Sequence, residues 1–79
     1  MNQQSPSWAR INTPADLSRF LRLLRIQRGL TQAELAAELG VSRNYVSEIE
    51  AGKPNLYTDR LFSALRLLGG RLRVDKVDT

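Results

Sequence analysis

The sequence predicts an all-α domain of four short helices with one β-strand at its C-terminal end. Three observations predict it. Between Leu17 and Leu68, apolar residues recur at the helical spacings i, i+3, i+4 and i+7. These stretches are bracketed by start and stop signals: Thr13 and Gly29, Thr31 and Gly40, Ser42 and Gly52, with Gly69-Gly70 closing the fourth. From Arg71 onward the period falls to two, the spacing of a strand.

Residues 1–12 are polar and aperiodic apart from Trp8 and Ile11, and are expected to form a flexible arm unless Trp8 finds a pocket. Residues 13–69 are expected to be the helical domain. In helix 1, placed at 14–28, Thr13 caps, Pro14 fits the first helical position and Asp16 sits at the positive end of the dipole. Leu17, Phe20, Leu21 and Leu24 make its apolar stripe, and Gly29 ends it. Thr31 and Glu34 form a capping box for helix 2, Gln32 to Leu39. Ser42 caps helix 3, Arg43 to Ala51, and Lys53-Pro54-Asn55 is a turn. Helix 4 starts between Leu56 and Asp59 and runs to Leu68, with Leu61, Leu65 and Leu68 on one face.

Residues 70–79 are expected to be a strand and tail. Leu72 and Val74 alternate with Arg71, Arg73 and Asp75. A lone strand cannot satisfy its own ladder, and no other run reads as a strong strand. Leu72, Arg73 and Val74 are therefore expected to pair across a homodimer or on a partner's edge.

Composition narrows the function. At 42% hydrophobic and 25% charged, the 79 residues suit one small globular domain rather than a disordered chain. Domains of this size are marginal alone, which also favours a dimer. Cysteine and histidine are absent, so a disulfide framework, a thiolate zinc site and a cysteine nucleophile are excluded, and the commonest general base is missing. No cofactor or metal is expected. No run approaches the ~20 apolar residues of a membrane span and no signal peptide is apparent, so a soluble, cytoplasmic protein is expected. The net charge is +4, the pI is near 10.4, and ten of the twelve basic residues are Arg. Arg forks onto phosphates and guanine edges, and a pI above ~9 is the footprint of nucleic-acid binding.

The informative stretch is QAELAAELGVSRNYVSEIEA, Gln32 to Ala51. Two short helices meet at Gly40-Val41-Ser42, the geometry of a helix-turn-helix. Small Ala36 lets the helices approach, and Gly40 supplies the positive φ of the turn. Leu35, Leu39, Val41, Val46 and Ile49 are expected to form the core beneath. Arg43, Asn44, Ser47 and Glu48 are then left outward, as on a helix that enters a major groove. Arg43 and Asn44, in the first turn, suit guanine and adenine edges, and Glu48 suits a cytosine amine or acts as a gate against phosphates. Gln32, at the start of helix 2, Ser42, Tyr45 and Lys53 are placed to reach phosphates, and Ser42 can cap its helix at the same time.

LRIQRGLTQAELAAELGVSRNYVSEIEAGK resembles the helix-turn-helix domain of the XRE/Cro/C1 family, which includes phage repressors, and the similarity runs from about Leu17 to Leu68. Ile11-Asn12-Thr13-Pro14 before helix 1 and the strand-like Arg71–Val77 are similar to HipB-type antitoxins. The resemblance implies a lambda-repressor-like fold, a palindromic operator, and a homodimer in which the last strand pairs with its twin. It also implies repression of the protein's own operon and a HipA-type kinase toxin as partner. The chain stops at Thr79, short of the tail some members carry, so toxin contacts through such a tail are not expected. Arg25 and Glu50 match a partly buried salt bridge in those repressors, which makes them scaffold rather than contacts.

Catalysis is not expected. Glu34 and Glu38 lie one turn apart on a solvated face. Gly52-Lys53 mimics the end of a phosphate-binding loop, but Ser47 stands where such a loop needs Gly. Two other readings stay open: a helical module that only blocks a protein partner, and a repressor without a toxin.

Overall fold

Capping chemistry sets the element boundaries. The computed structural model describes residues 7–77, which form β1 (Trp8–Ile11), α1 (Pro14–Gln27), α2 (Gln32–Leu39), α3 (Arg43–Ala51), α4 (Leu56–Leu67) and β2 (Leu72–Asp75). At α1 the Thr13 hydroxyl accepts from the Asp16 amide at 3.1 Å, and the Asp16 carboxylate accepts from the amides of Asn12 and Thr13. Thr31 and Glu34 close the same reciprocal box at α2. Ser42 caps α3 by accepting from the Tyr45 amide, and Asn55 caps α4 by accepting from the Thr58 amide. Asn55, read above only as part of a turn, is thus a helix start.

Gly40 and Gly52 end α2 and α3 with φ of +73° and +71°, a region that disfavours any side chain. After each, the next amide folds back: Val41 to the Ala36 carbonyl, Lys53 to the Glu48 carbonyl. α1 and α4 stop one residue short of expectation, because Arg28 and Leu68 serve as their caps.

The C-terminal strand forms, but its partner lies in the same chain. β2 pairs antiparallel with β1, Trp8 opposite Asp75, Ala9 opposite Val74, Arg10 opposite Arg73 and Ile11 opposite Leu72. Leu72, Arg73 and Val74 therefore do not wait for a second chain to satisfy their ladder. Trp8–Ile11 are a strand rather than a loose arm, and residues 1–6 of the expected arm lie outside the described residues. The physical reason is burial. Ile11 is 2% exposed, and the inward residues Ala9, Leu72 and Val74 pack with it on Phe20 and Phe62. The outward residues Trp8, Arg10, Arg73 and Asp75 are exposed, and the Arg73 guanidinium lies 4.4 Å from the Trp8 ring centre.

α1 is the central element. Phe20 and Leu23 face the sheet, Leu21 borders a cavity towards α3, and α2 packs on α3. The core under α2 and α3 is smaller than expected. Ala36 and Val46 are buried, whereas Leu39 and Val41 are exposed because the turn carries them to the surface. On α4 the core residue is Phe62, and Leu61 and Leu68 of the expected apolar face point away from it into solvent. No helix among the described residues is long and apolar enough to cross a membrane.

Candidate nucleic-acid interface

α3 is held from beneath by charge. Arg25 of α1 donates from Nε to Glu50 Oε2 at 2.6 Å and from Nη2 to Oε1 at 2.9 Å. Its Nη1 donates to the Leu30 carbonyl at 2.6 Å, and Gln32 Nε2 donates to Glu50 Oε1 at 3.1 Å. One carboxylate thereby ties α1, the α1–α2 turn and the first residue of α2 to α3. The pair's side chains are only 10% and 4% exposed. The bidentate fork suits Arg and not Lys.

The Arg25 bonds hold the Glu50 carboxyl below the usual carboxylate range, aided by Gln32 and the charge of Arg22 and opposed by burial. The same bonds raise Arg25. The expected Arg25–Glu50 bridge is thus formed. Gln32 belongs to the same network: its side-chain amide serves the scaffold, which leaves its backbone N–H, at the first position of α2, as the group suited to a phosphate.

The opposite side of α3 is polar. A turn of 100° per residue puts Arg43, Asn44, Ser47 and Glu48 on one face, with Val46 opposite them and buried. Arg43, Asn44 and Tyr45 are exposed, and Ser47 and Glu48 are half-buried. Ser42 acts as the N-cap, as expected.

Two donors converge on one oxygen here. Lys53 Nζ lies 3.1 Å from Glu48 Oε2, and Asn44 Nδ2 lies 3.4 Å from the same atom. The Lys53 amide also donates to the Glu48 carbonyl at 3.2 Å. Sequence reasoning placed Asn44, Glu48 and Lys53 separately and missed this link. Its signal was the i, i+4 spacing of Asn44 and Glu48, followed by a helix-ending glycine that turns Lys53 back. Glu48, Lys53 and Tyr45 also border a cavity of about 270 Å³ between α1, α3 and α4. Among the described residues, no group of acidic side chains could hold a metal.

The helix-turn-helix family profile matches residues 21–74. An uncharacterised helix-turn-helix transcriptional regulator, y4mF of Sinorhizobium fredii, is 38% identical over 60 residues, covering 76% of this chain and 79% of that protein. The antitoxin HipB of Escherichia coli K12 is 32% identical over 62 residues, covering 78% of this chain and 70% of that one. A second Sinorhizobium fredii regulator, y4dJ, is 40% identical over 52 residues, 66% of each chain. No solved structure gives a significant match.

Proposed function

The chain belongs to the helix-turn-helix family, and from that premise we propose that it is a cytoplasmic repressor that binds a palindromic operator as a homodimer. It is a DNA-binding regulator and not an enzyme. The observation that carries the proposal is the pairing of a rigid underside with a polar outer face on α3. Arg25 and Glu50 fix the helix, and Arg43 and Asn44 stand exposed in its first turn. Helix 3 enters the major groove of each half-site, and Arg43, Asn44, Ser47 and Glu48 meet base edges. The Gln32 backbone, Ser42, Tyr45 and Lys53 hold phosphates. Protein symmetry is mirrored in the DNA, with half-site centres ~34 Å apart or a multiple of it.

Two features support the dimer. Among the described residues β2 is one of two strands in its sheet, so its second edge is available to a twin strand, giving the order β1-β2-β2′-β1′. The other is that α4 and its cap expose Leu61, Leu67 and Leu68. The likeness to HipB supports a finer reading, in which the chain is the antitoxin of a HipA-type kinase and represses their shared operon. A kinase-like gene immediately downstream supports that reading, and its absence favours a repressor without a toxin.

Anisotropy titrations on the gene's own upstream DNA and on a scrambled duplex, each at two salt concentrations, test the assignment. Arg43→Ala is expected to cost roughly 1–3 kcal/mol per half-site on the operator and to relax preference at one base pair. Lys53→Ala is expected to weaken operator binding without changing which base pair is preferred, and to flatten the slope of log K against log salt on the operator by about one unit per contact. Equal losses on operator and scrambled DNA for Arg43→Ala would make Arg43 a phosphate clamp.

A further inference from the structure

The Glu48 carboxylate points into the surface that is meant to meet a polyanion, and it already has two donors. Lys53 Nζ and Asn44 Nδ2 share its Oε2, at 3.1 and 3.4 Å. These are the proposed phosphate clamp and one of the two principal base readers. Lys53 is tethered at both ends, because its amide donates to the Glu48 carbonyl where Gly52 ends the helix at φ +71°. Before DNA arrives, the reading head is therefore folded onto its own acid.

We infer that Glu48 is a specificity-determining latch, which masks Lys53 from phosphates and Asn44 from base edges at random sequence and releases both where an operator base offers a replacement donor. The inference rests on the operator-binding reading above. Its physics is a competition. For Lys53 to reach a phosphate it must leave Glu48, and the bared carboxylate then faces the negative groove. A cytosine amine is the base-edge donor that can satisfy it. Sequences without one leave the carboxylate unpaired next to the DNA, which disfavours them.

The strength of the pair fits such a role. Its side chains are 63% and 42% exposed, so the contact is weak enough to exchange and open enough for a phosphate to compete. The buried Arg25–Glu50 fork, at 10% and 4%, could not exchange in this way. The molecule thus carries one ion pair of α3 as scaffold and another as a switchable contact.

The test uses the intact chain, with Glu48→Gln, Lys53→Ala and the double variant, on a random-sequence duplex and on the upstream DNA. Glu48→Gln is expected to raise affinity for the random duplex roughly 1.5- to 5-fold per half-site, the range an exposed ion pair converts to. It should steepen the salt slope by about 0.9, the value for one additional phosphate neutralised. Affinity for the upstream DNA should rise less, so that discrimination falls. In the Lys53→Ala background the gain on random duplex should largely vanish.

An equal gain with and without Lys53 would mean that Glu48 merely repels DNA, and the latch is overturned. No gain at all overturns it too. In the free protein, Glu48→Gln should shift the Asn44 side-chain amide resonance and broaden the Lys53 ammonium signal. If neither moves, no latch exists, whatever the DNA result. If both move while the wild-type chain binds neither duplex, the failure lies in the operator reading and not in the contact.

Discussion

Glu50 shows how one side chain links fold, pH and function. Its carboxyl is held low by Arg25 first, then by Gln32 and the charges of Arg25 and Arg22, so its folded pKa lies below the unfolded value of about 4.3. Between those two values the unfolded chain binds more protons than the folded one. The stability contributed by the pair is therefore fully present above ~4.3 and is lost as pH falls through the folded value. Asp16, lowered chiefly by the Asn12 amide, adds a loss in the same direction. Melting temperature should thus fall steeply with acid, and Glu50→Gln should flatten that fall while lowering stability at neutral pH. At pH 7, Glu50→Ala is expected to cost about 3–5 kcal/mol, because Arg25 is left without a counter-charge. Arg25→Ala should also destabilise, and both should exceed Arg19→Ala severalfold, since the Arg19 side chain is 73% exposed. Equal melting temperatures for the three alanine variants would show the pair to be solvent-exposed.

At the scale of elements, the correction at the N-terminus is the informative one. Trp8–Ile11 spans four residues, too few for an alternation to stand out, and only Ile11 is strongly apolar. Nothing local marks it as a strand. It becomes one because β2 needs a ladder partner and because Ile11 can close the pocket over Phe20 and Phe62. Leu39 has the opposite history: its helical spacing suggests core, and the turn at Gly40 leaves it 59% exposed. Ile11→Ala is therefore expected to cost about 2–4 kcal/mol by denaturant unfolding, in the range of other buried aliphatic truncations. Leu39→Ala should stay within about 0.5 kcal/mol. The reverse ranking would return β1 to the status of a loose arm and Leu39 to the core. Apart from α4, the helices needed no such tertiary help to be located. Their caps, Thr13, Thr31 and Ser42, and their stops, Gly40 and Gly52, act within a few residues and were legible directly.

At the scale of the whole molecule, several large apolar side chains stand exposed on and beside α4. Tyr57, Leu61 and Leu68 lie along one stripe of α4, at 79%, 50% and 82% exposed, with Leu67 beside it at 85%. Isolated exposed leucines are ordinary, but a stripe of large apolar side chains along one helix face is not. Removing residues 71–79 would also strip Leu72 and Val74 from the core, so truncation would confuse unfolding with dissociation. Leu61→Glu with Leu68→Glu leaves the core intact and places two charges on the stripe. By sedimentation equilibrium the wild-type chain should be a dimer and this variant a folded monomer, with weaker operator binding because only one half-site is engaged at a time. A wild-type monomer, or a dimer that survives both charges, would rule out this surface.

The sequence by itself determined what depends on near neighbours. Capping boxes, helix-ending glycines and the Gly40-Val41-Ser42 turn involve residues within five positions of one another, so their chemistry is written in adjacent letters. The outward face of α3 followed from helical periodicity alone, and Arg25–Glu50 became legible through its likeness to known repressors. Tertiary structure decided what depends on distant competition. Which strand pairs with β2 and which leucines are covered are both settled by burial contributed from elsewhere in the chain. A four-residue strand has little preference of its own, and a leucine at helical spacing is covered only where another element packs on it. Neither outcome is encoded at the residue where it appears.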